Sequence, residues 1–458
     1  MLTERRESIH GQWSSRWTFI LAATGSAVGL GNIWRFPYIT GENGGGAFLF
    51  IYVLCVLVVG IPIMMAEVML GRRGRQTPIN TMLTLAREEG RSEWWQCIGW
   101  MGIVAGFLVL TFYSVVAGWT LAYVVHAATG TFNGTTTEGA RTIFTQLISD
   151  PKQLLAWHTV FMALTIMVVS RGVTGGLERT VRFLMPTLFI ILIVLVGYAM
   201  TTEKFIDGLV YLFTPDFSKI SAAGVFIALG QAFFSLSLGM GAIMIYGAYL
   251  PQQTSIANTS CTIAFIDTFI AILAGMAIFP IVFTYALEPS EGSGLIFKTL
   301  PIAFGQMPFG QLVGTLFFIL LVFAALTSAI SLLEPAVTWL VENHGMTRIM
   351  ATLSSGMLAW FIGIGCLLSL NVWAGITIFG LTFFDIVEGF TANILLPLGG
   401  LLMAVFASWL MSHKSTVDEL ALGDGTLYSA WQITLRYIAP VFVALIFLNA
   451  VGLLEFDS

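Results

Sequence analysis

Charged residues are scarce in this sequence. Asp, Glu, Lys and Arg make up only 10% of its 458 residues, whereas soluble domains carry about 25%. Hydrophobic residues make up 57%, and the mean hydropathy is +0.87. A soluble enzyme or a nucleic-acid-binding protein is therefore excluded. Four scattered cysteines lack the spacing of a metal site, so we expect free thiols. The composition predicts a polytopic membrane protein embedded in a lipid bilayer.

Apolar runs long enough to cross the bilayer recur along the whole chain. We count eleven of them, at about 14–39, 44–70, 98–127, 155–171, 183–200, 222–248, 257–286, 309–341, 347–368, 375–411 and 432–453. Placing the N-terminus in the cytoplasm puts most of the Arg and Lys residues between the runs on the cytoplasmic side. An odd number of spans then places the acidic C-terminal tail outside.

Two of the runs contain residues that interrupt a helix. Run 1 includes GSAVGLGNIWRFPY (25–38), where we place a break at 25–31, and run 6 includes GQAFFSLSLGMGA (230–242). Unpaired backbone groups are costly in lipid, so such breaks need partners from protein or a water-filled cavity. The glycines alone could mark close helix packing. However, the breaks lie five spans apart, in corresponding positions of two halves, and this pattern indicates the substrate site of a secondary transporter.

Other classes of membrane protein are less consistent with the sequence. The spans contain no nucleophile–base pair, no metal-binding His/Cys set and no phosphate-binding loop, so we do not expect an enzyme. A sensor or channel could share the binding site without concentrating its substrate. The intramembrane acids Glu67 and Glu334 are as consistent with hydrogen bonds between helices as with a direct role.

The stretch WSSRWTFILAATGSAVGLGNIWRFPYITGENGGGAFLFIYVLCVLVVGIPIMMAEVMLGR (13–72) resembles the first two helices of the neurotransmitter:sodium symporter family. The resemblance continues through YSVVAGWTLAY, GQAFFSLSLGMGA, FAALTSAISLLEP and NILLPLGG. Eleven helices are typical of the bacterial branch of that family. The resemblance implies an all-α membrane protein with one transmembrane domain, 1–458, made of two inverted five-helix repeats. Helices 1–5 would span about 14–200, helices 6–10 about 222–411, and helix 11 about 432–453, with helices 1 and 6 broken.

The same resemblance implies an amino acid site between the two breaks. The backbone N–H groups of Leu30 and Gly31 and the hydroxyl of Tyr113 would bind the substrate carboxylate. Carbonyls near Ala27, Phe234 and Ser235 would bind its amino group. The side-chain pocket would be lined by Ser26, Val109, Tyr113, Phe234, Ser237, Met240, Ser328 and Leu332. Gly29 stands where monoamine carriers of the family have Asp, which favours zwitterionic amino acids.

Selectivity among hydrophobic substrates should be broad. An apolar pocket distinguishes related side chains by only about 1–3 kcal/mol per methylene, and the flexible Met240 side chain adapts to different shapes. We therefore expect hydrophobic L-amino acids of the Trp, Leu, Tyr and Phe class. Another small zwitterion or an indole-like compound is the alternative.

Two sodium sites built from oxygen ligands are also implied. The first would use Ala27, Asn32, Ser235 and Asp267 together with the substrate carboxylate. The second would use Gly25, Val28, Ala324, Thr327 and Ser328. Because the substrate carboxylate completes the first site, binding of substrate and binding of sodium would be coupled.

Asp267 departs from the usual family pattern. Many members have Asn at this position, and animal members add a chloride ion nearby, at positions that match Tyr52, Gln231 and Ser235. A fixed carboxylate would repel an anion, so we predict transport that does not depend on chloride. Whether Asp267 also carries a proton, or is only a paired structural acid, stays open.

Gates are expected at both ends of the site. Outside, Arg35 would pair with Glu388, or with Asp385, above a lid formed by Tyr113 and Phe234. Inside, Trp13 and Glu342 match the family's inner gate, and its basic member is His10, Arg5 or Arg6. In helix 5, the spacing from Gly176 to Pro186 matches a segment that unwinds in relatives to let water reach the second sodium site. An ordinary helix start is the alternative.

These observations predict a sodium-coupled symporter that imports hydrophobic and aromatic L-amino acids by alternating access. We expect it in the cytoplasmic membrane of a bacterium, with the N-terminus inside and the C-terminus outside.

Overall fold

The computed structural model describes residue 6 and residues 8–288, 294–423 and 425–450. Within these ranges the chain is helical and contains no β-strand. The predicted spans correspond to helix 1 (Arg16–Ala27 and Phe36–Glu42), helix 2 (Gly46–Gly74), helix 3 (Glu93–Ala128), helix 4 (Pro151–Ser170), helix 5 (Val173–Ala199), helix 6 (Ala222–Ser235 and Ala242–Ala248), helix 7 (Ile256–Thr284), helix 8 (Gly310–His344), helix 9 (Arg348–Leu368), helix 10 (Phe383–Leu410) and helix 11 (Thr426–Ile433 and Ala439–Ala450).

Shorter helices connect the spans, and they lie at Pro78–Glu88, Thr137–Ser149, Phe205–Phe213, Leu300–Gln306 and His413–Leu420. We call the end of the bundle that holds the start of helix 1 the inner end, following the predicted orientation, and the opposite end the outer end.

Three predicted boundaries need correction. Helix 5 begins at Val173 instead of about 183, because its first turns carry charged residues that lengthen the helix beyond the apolar run. Helix 10 begins at Phe383 instead of about 375, after a turn in which Ile378 and Leu381 pair. Helix 11 can be followed only to Ala450, so its predicted end at 453 and the acidic tail lie outside the described residues.

The break in helix 1 is shorter than predicted. The helix continues through Gly25 to Ala27, and the N–H of Val28 still donates to the carbonyl of Thr24 at 2.6 Å. Val28 then turns to an extended conformation with ψ 99°, and helical structure resumes with a π-helical turn at Gly31–Arg35. The interruption therefore lies at Val28–Gly29.

Helix 6 breaks through left-handed backbone conformations. Ser237 has φ 53°, Gly239 has φ 80° and Gly241 has φ 72°. Glycine adopts positive φ without steric cost, whereas Ser237 does not. The Ser237 hydroxyl donates to the Ser26 carbonyl at 2.8 Å, and this bond to the other broken helix accompanies its unusual conformation.

Close backbone contact joins helix 2 to the inner half of helix 6. A Cβ atom on Gly71 would lie 1.9 Å from the carbonyl oxygen of Met244 and 3.1 Å from the amide nitrogen of Ala248. These are backbone atoms, which cannot rotate away. Glycine at this position therefore sets how closely helix 6 approaches its neighbour.

We predict that Gly71→Ala destabilises the fold, because the two helices must separate to admit one methyl group. Overpacking of this kind costs about 1–3 kcal/mol. Thermal unfolding of detergent-purified protein, followed by size-exclusion chromatography, measures the effect. Gly197→Ala is the matched control, since a Cβ at Gly197 on helix 5 meets no atom within 4 Å. Equal melting temperatures for the two variants would contradict the prediction.

Candidate functional site

The two breaks face each other in the interior of the bundle. The Ser26 carbonyl at the end of the first half of helix 1 accepts hydrogen bonds from Ser237 at 2.8 Å and from Ser328 of helix 8 at 3.1 Å. The Ser26 hydroxyl donates to Ser331 at 2.7 Å. Carbonyls at a helix end have no partner within the helix, and here hydroxyls from two other helices supply one.

A cavity of about 20 Å³ lies between the breaks. It is lined by Ser26, Ala27, Gly29, Gly31, Val109, Tyr113, Phe234, Ser237, Met240, Ser328 and Leu332. The lining contains all eight residues predicted for the side-chain pocket. Its volume is only slightly larger than the space that one water needs, so a larger side chain requires the lining to move apart.

Two residues of the predicted substrate set lie elsewhere. Leu30 lines a wider space above the cavity, although its N–H donates to the Tyr113 hydroxyl at 3.2 Å. Ser235 is fully buried behind the cavity, and its hydroxyl shares a hydrogen bond of 2.9 Å with Tyr52. The Ser235 side chain therefore belongs to the polar cluster around Asp267.

The glycines of the first break leave no room for side chains. A Cβ on Gly29 would lie 2.5 Å from the Ser328 hydroxyl oxygen and 2.8 Å from the Tyr113 hydroxyl oxygen. A Cβ on Gly31 would lie 2.9 Å from the Phe234 ring. The backbone of the break is thus in direct contact with the residues that line the cavity.

The residues predicted for the second sodium site come together as a group of oxygen atoms. The Ser328 hydroxyl lies 3.5 Å from the carbonyls of both Gly25 and Val28. The Thr327 hydroxyl lies 3.0 Å from the Ala324 carbonyl in the adjacent turn of helix 8. Buried carbonyl and hydroxyl oxygens suit a hard cation such as sodium, so these residues fit the ion.

The residues predicted for the first sodium site surround a buried carboxylate. Asn32 donates to the Oδ1 atom of Asp267 at 2.8 Å, and both side chains are fully buried. Among the described residues, the Oδ2 atom of Asp267 has no hydrogen-bond partner. A buried carboxylate oxygen without a donor is costly, and a bound cation would relieve that cost. The donor set therefore fits sodium here as well.

At the outer end, a vestibule of about 410 Å³ opens above the cavity. Tyr113 and Phe234 line both spaces, so they separate the vestibule from the cavity. Arg35, Asp385 and Glu388 lie in the vestibule wall. In the described part of the chain no carboxylate approaches Arg35 within 4 Å, and its guanidinium instead lies 4.8 Å from the centre of the Phe234 ring. The predicted outer ion pair is thus not formed in this state.

The two candidate partners of Arg35 differ in their surroundings. Asp385 caps the start of helix 10, where its Oδ2 atom accepts from the backbone N–H of Thr382 at 3.0 Å and from its hydroxyl at 2.7 Å. The side chain of Glu388 makes no hydrogen bond or ion pair to a described residue. Glu388 is therefore the carboxylate that is free to meet Arg35.

The inner end is closed by contacts of the chain before helix 1. Trp13 is 2% exposed and donates from its indole nitrogen to the Tyr246 carbonyl at 3.1 Å. His10 pairs with Glu342 at 3.1 Å. Arg6, one of the alternatives, instead pairs with Glu88 at 2.5 Å, and Arg5 lies outside the described residues.

Two intramembrane acids form polar contacts between helices. Glu67 accepts from the N–H of Gly239 at 2.5 Å, so it supplies a partner to the broken part of helix 6. Glu334 binds Arg348 through both carboxylate oxygens, at 3.0 and 2.5 Å, and accepts from the Tyr249 hydroxyl at 3.0 Å. An acid in an apolar run indicates that it has a polar partner inside the protein. The sequence does not identify that partner, because it lies far away along the chain.

The fold and the site together define a secondary transporter. Two broken helices meet at a small buried cavity, groups of oxygen atoms surround it, and it lies between an open vestibule and a closed inner end. Helices broken at corresponding positions of two halves are typical of such carriers.

Comparison with known proteins identifies the family. A model of the sodium:neurotransmitter symporter family matches residues 10–140 and 140–456. The chain is 40% identical over 448 residues to an uncharacterized sodium-dependent transporter of Bacillus subtilis, covering 97% of this chain and 98% of the relative. It is 34% identical over 446 residues to one of Haemophilus influenzae, covering 95% and 97%. The chain belongs to the sodium:neurotransmitter symporter family and is a sodium-coupled membrane transporter, not an enzyme.

A solved structure of the same fold supports this assignment. The crystal structure of MhsT in complex with L-phenylalanine matches with a TM-score of 0.89 and 42% sequence identity. The match covers 96% of this chain and 99% of that one. The predicted family and the predicted all-α membrane fold are therefore confirmed.

We predict that Glu388→Gln slows transport by about an order of magnitude, whereas Asp385→Asn retains most of it. The glutamine side chain would lack the charge that attracts Arg35 when the vestibule closes. The ion pair could then not form, and Arg35 would enter the closed state without a charged partner, which is costly. An asparagine in place of Asp385 can still accept the hydrogen bonds of the helix cap. Initial rates of substrate uptake in proteoliposomes compare the two variants. A larger loss for Asp385→Asn would identify Asp385 as the gate residue.

Proposed function

We propose that this transporter imports hydrophobic and aromatic L-amino acids together with sodium across the cytoplasmic membrane of a bacterium, with its N-terminus in the cytoplasm. The observation that supports it most directly is the cavity between the two breaks. Apolar side chains of helices 3, 6 and 8 line one part of it, and backbone at the break of helix 1 lines another. The chemistry of this lining suits a substrate with an apolar side chain and a zwitterionic backbone, which the site would admit by moving its walls apart.

The substrate class follows from the chemistry of the lining. Val109, Met240 and Leu332 present apolar groups, and Phe234 adds an aromatic face. Gly29 brings no carboxylate, so a substrate must provide its own negative charge for the sodium ion nearby. The matched structure of MhsT is a complex with L-phenylalanine, which is an amino acid of this chemical class.

Two sodium sites are part of the proposal. The second site consists of the carbonyls of Gly25, Val28 and Ala324 with the hydroxyls of Thr327 and Ser328. At the first site, Asn32, Asp267, Ser235 and the Ala27 carbonyl would bind sodium together with the substrate carboxylate. Because each ligand contributes to the other's site, binding of one raises the affinity for the other.

Alternating access accounts for the asymmetry of the two ends. The vestibule above Phe234 is open to the outer side, while Trp13 and the His10–Glu342 pair close the inner side. Substrate would enter from the vestibule, Arg35 would move from the Phe234 ring toward Glu388, and the inner contacts would then separate to release the cargo.

The direct test is uptake of tritiated phenylalanine, tryptophan and leucine into proteoliposomes. We expect accumulation above equilibrium with an inward sodium gradient and none with potassium, in chloride or in gluconate. Thr327→Val with Ser328→Ala should abolish accumulation, since it removes two of the sodium ligands. Sodium-independent equilibration would contradict symport, and binding without accumulation would point to a sensor.

We predict that Asp267→Asn makes transport dependent on chloride. The substitution removes the fixed negative charge beside the first sodium site, so the apparent sodium affinity should fall about tenfold, which corresponds to about 1.4 kcal/mol. Added chloride should restore part of it. Asp207→Asn is the matched control, because Asp207 lies at the surface, paired with Lys204 at 2.8 Å. A variant that is equally active with and without chloride would contradict the role of Asp267.

A further inference from the structure

The inner end is closed by a contact that involves a histidine. The Nε2 atom of His10 lies 3.1 Å from Oε1 of Glu342 on helix 8, and the two side chains are only 6% and 7% exposed. Three residues after His10, Trp13 is bound to Tyr246, and helix 1 begins at Arg16. The contact therefore ties the segment that leads into helix 1 to helix 8. We call His10 and Glu342 the inner pair.

Other carboxylates in the inner half of the molecule pair with arginine, which keeps its charge at any physiological pH. These pairs are Glu88 with Arg6, Glu178 with Arg182, Glu334 with Arg348 and Glu419 with Arg72. Glu342 differs from them, because its partner is a histidine. Histidine side chains gain or lose their charge between about pH 5 and 8. The inner pair is therefore an ion pair at low pH and a hydrogen bond at high pH.

The remaining donors to the Glu342 carboxylate are neutral. The backbone N–H of Thr77 donates to its Oε2 atom at 3.0 Å, and the side-chain amide of Asn80 donates to the same atom at 2.8 Å. Hydrogen bonds between a cation and a carboxylate are about twice as strong as those between neutral groups. Water also screens a shielded pair only weakly. Protonation of His10 therefore adds a positive charge that the other donors to Glu342 lack.

The charged and titratable groups packed around the inner pair are engaged with other partners. From helix 6, the ring of Tyr249 lies 6.1 Å from the imidazole ring of His10. The engaged groups are the Tyr249 hydroxyl, which donates to Glu334, then Glu334 itself, which is bound to Arg348, and Arg6, which is paired with Glu88. The charge of His10 therefore acts mainly on Glu342.

Protons reach the inner pair without passing through the protein. The neighbours of His10 along the chain, Ile9, Gly11 and Gln12, are exposed, and Ile9 is 74% exposed. The imidazole thus lies just beneath the surface of the inner end, where the water outside supplies or removes its proton.

We propose that the inner pair makes the closing of the inner end respond to the pH of the cytoplasm, with His10 as a positioning residue. A proton that the imidazole takes up from the cytoplasm turns the hydrogen bond to Glu342 into an ion pair, which holds the start of helix 1 in place. At higher pH the imidazole gives this proton back, and the hydrogen bond alone is left. This inference rests on the proposed function, because it takes this end to face the cytoplasm and its opening to be a step of transport.

The sign of the effect follows from the geometry of the contact. A protonated His10 attracts Glu342 while the inner end is closed, and this attraction is lost when the two side chains separate. A lower pH therefore favours the closed inner end, and a higher pH favours its opening. One proton changes such an equilibrium by at most about tenfold per pH unit.

Hydrogen–deuterium exchange of residues 11–24 in the full-length protein tests the proposal. The protein is held in nanodiscs in potassium buffer, and variants are compared with the wild type at the same pH, which cancels the effect of pH on exchange itself. At pH 6 the wild type should match His10→Arg. At pH 8 it should match His10→Gln and exchange about three- to tenfold faster than His10→Arg, since the ion pair is then absent.

Two further variants control the comparison. Glu342→Gln keeps the histidine but removes the carboxylate, so it should exchange as fast as His10→Gln at both pH values, even if an arginine at position 10 fails to fold. His344→Gln is the matched control and should behave like the wild type. His344 also lies at the inner end of helix 8, packed on Trp339, without an ion pair to a described residue.

The pattern across the two pH values decides the outcome. A wild type that follows His10→Arg at pH 6 and His10→Gln at pH 8 supports the proposal. A wild type that follows the same variant at both pH values has no switch at His10, and a wild-type pH response that persists in Glu342→Gln belongs to another group; either result overturns the proposal. Exchange needs no transported substrate, so a failed uptake assay would contradict the proposed function without deciding this question.

Discussion

A carbonyl group inside a membrane protein must find a partner, and the end of the first half of helix 1 leaves several carbonyls without one. The helix stops at Ala27, so the carbonyls of Gly25, Ser26 and Val28 lose their helical donors. The Ser328 hydroxyl lies within 3.5 Å of all three. This shortage of donors determines where the cavity lies, which helices surround it and why a cation is a suitable ligand.

The same constraint explains the polar residues of the other break. Glycine and serine at positive φ turn helix 6 away from its axis, and its freed backbone groups then need buried partners. Glu67 of helix 2 provides one of these by accepting from Gly239. The acid is therefore required by the broken backbone, and its position near the cavity is a consequence. One oxygen of Glu67 and one oxygen of Asp267 both have no donor among the described residues. Asp267 differs in its neighbour, because it accepts from Asn32, another residue of the proposed first sodium site.

The two ends of the molecule depend on different physical contacts. At the outer end, the Arg35 guanidinium lies over the Phe234 ring, and in the proposed cycle this contact is replaced by an ion pair with Glu388. At the inner end, the indole of Trp13 donates to the carbonyl of Tyr246. The carboxylate of Glu342 accepts hydrogen bonds from Thr77 and Asn80. A partly open vestibule above a sealed inner end is the arrangement that a carrier needs to receive cargo from outside.

The sequence by itself determined the class, the spans and the two breaks, because apolar length and helix-breaking residues are local signals, and its resemblance to the family supplied most of the cavity lining. It placed the break of helix 1 too broadly and started helix 5 too late, since propensity alone does not show which carbonyls still find donors. Only the tertiary structure decided that His10 and not Arg6 meets Glu342, and that Arg35 lies over the Phe234 ring without an ion pair to Glu388. Such choices depend on distances between side chains that are far apart in the chain, and folding alone brings them together.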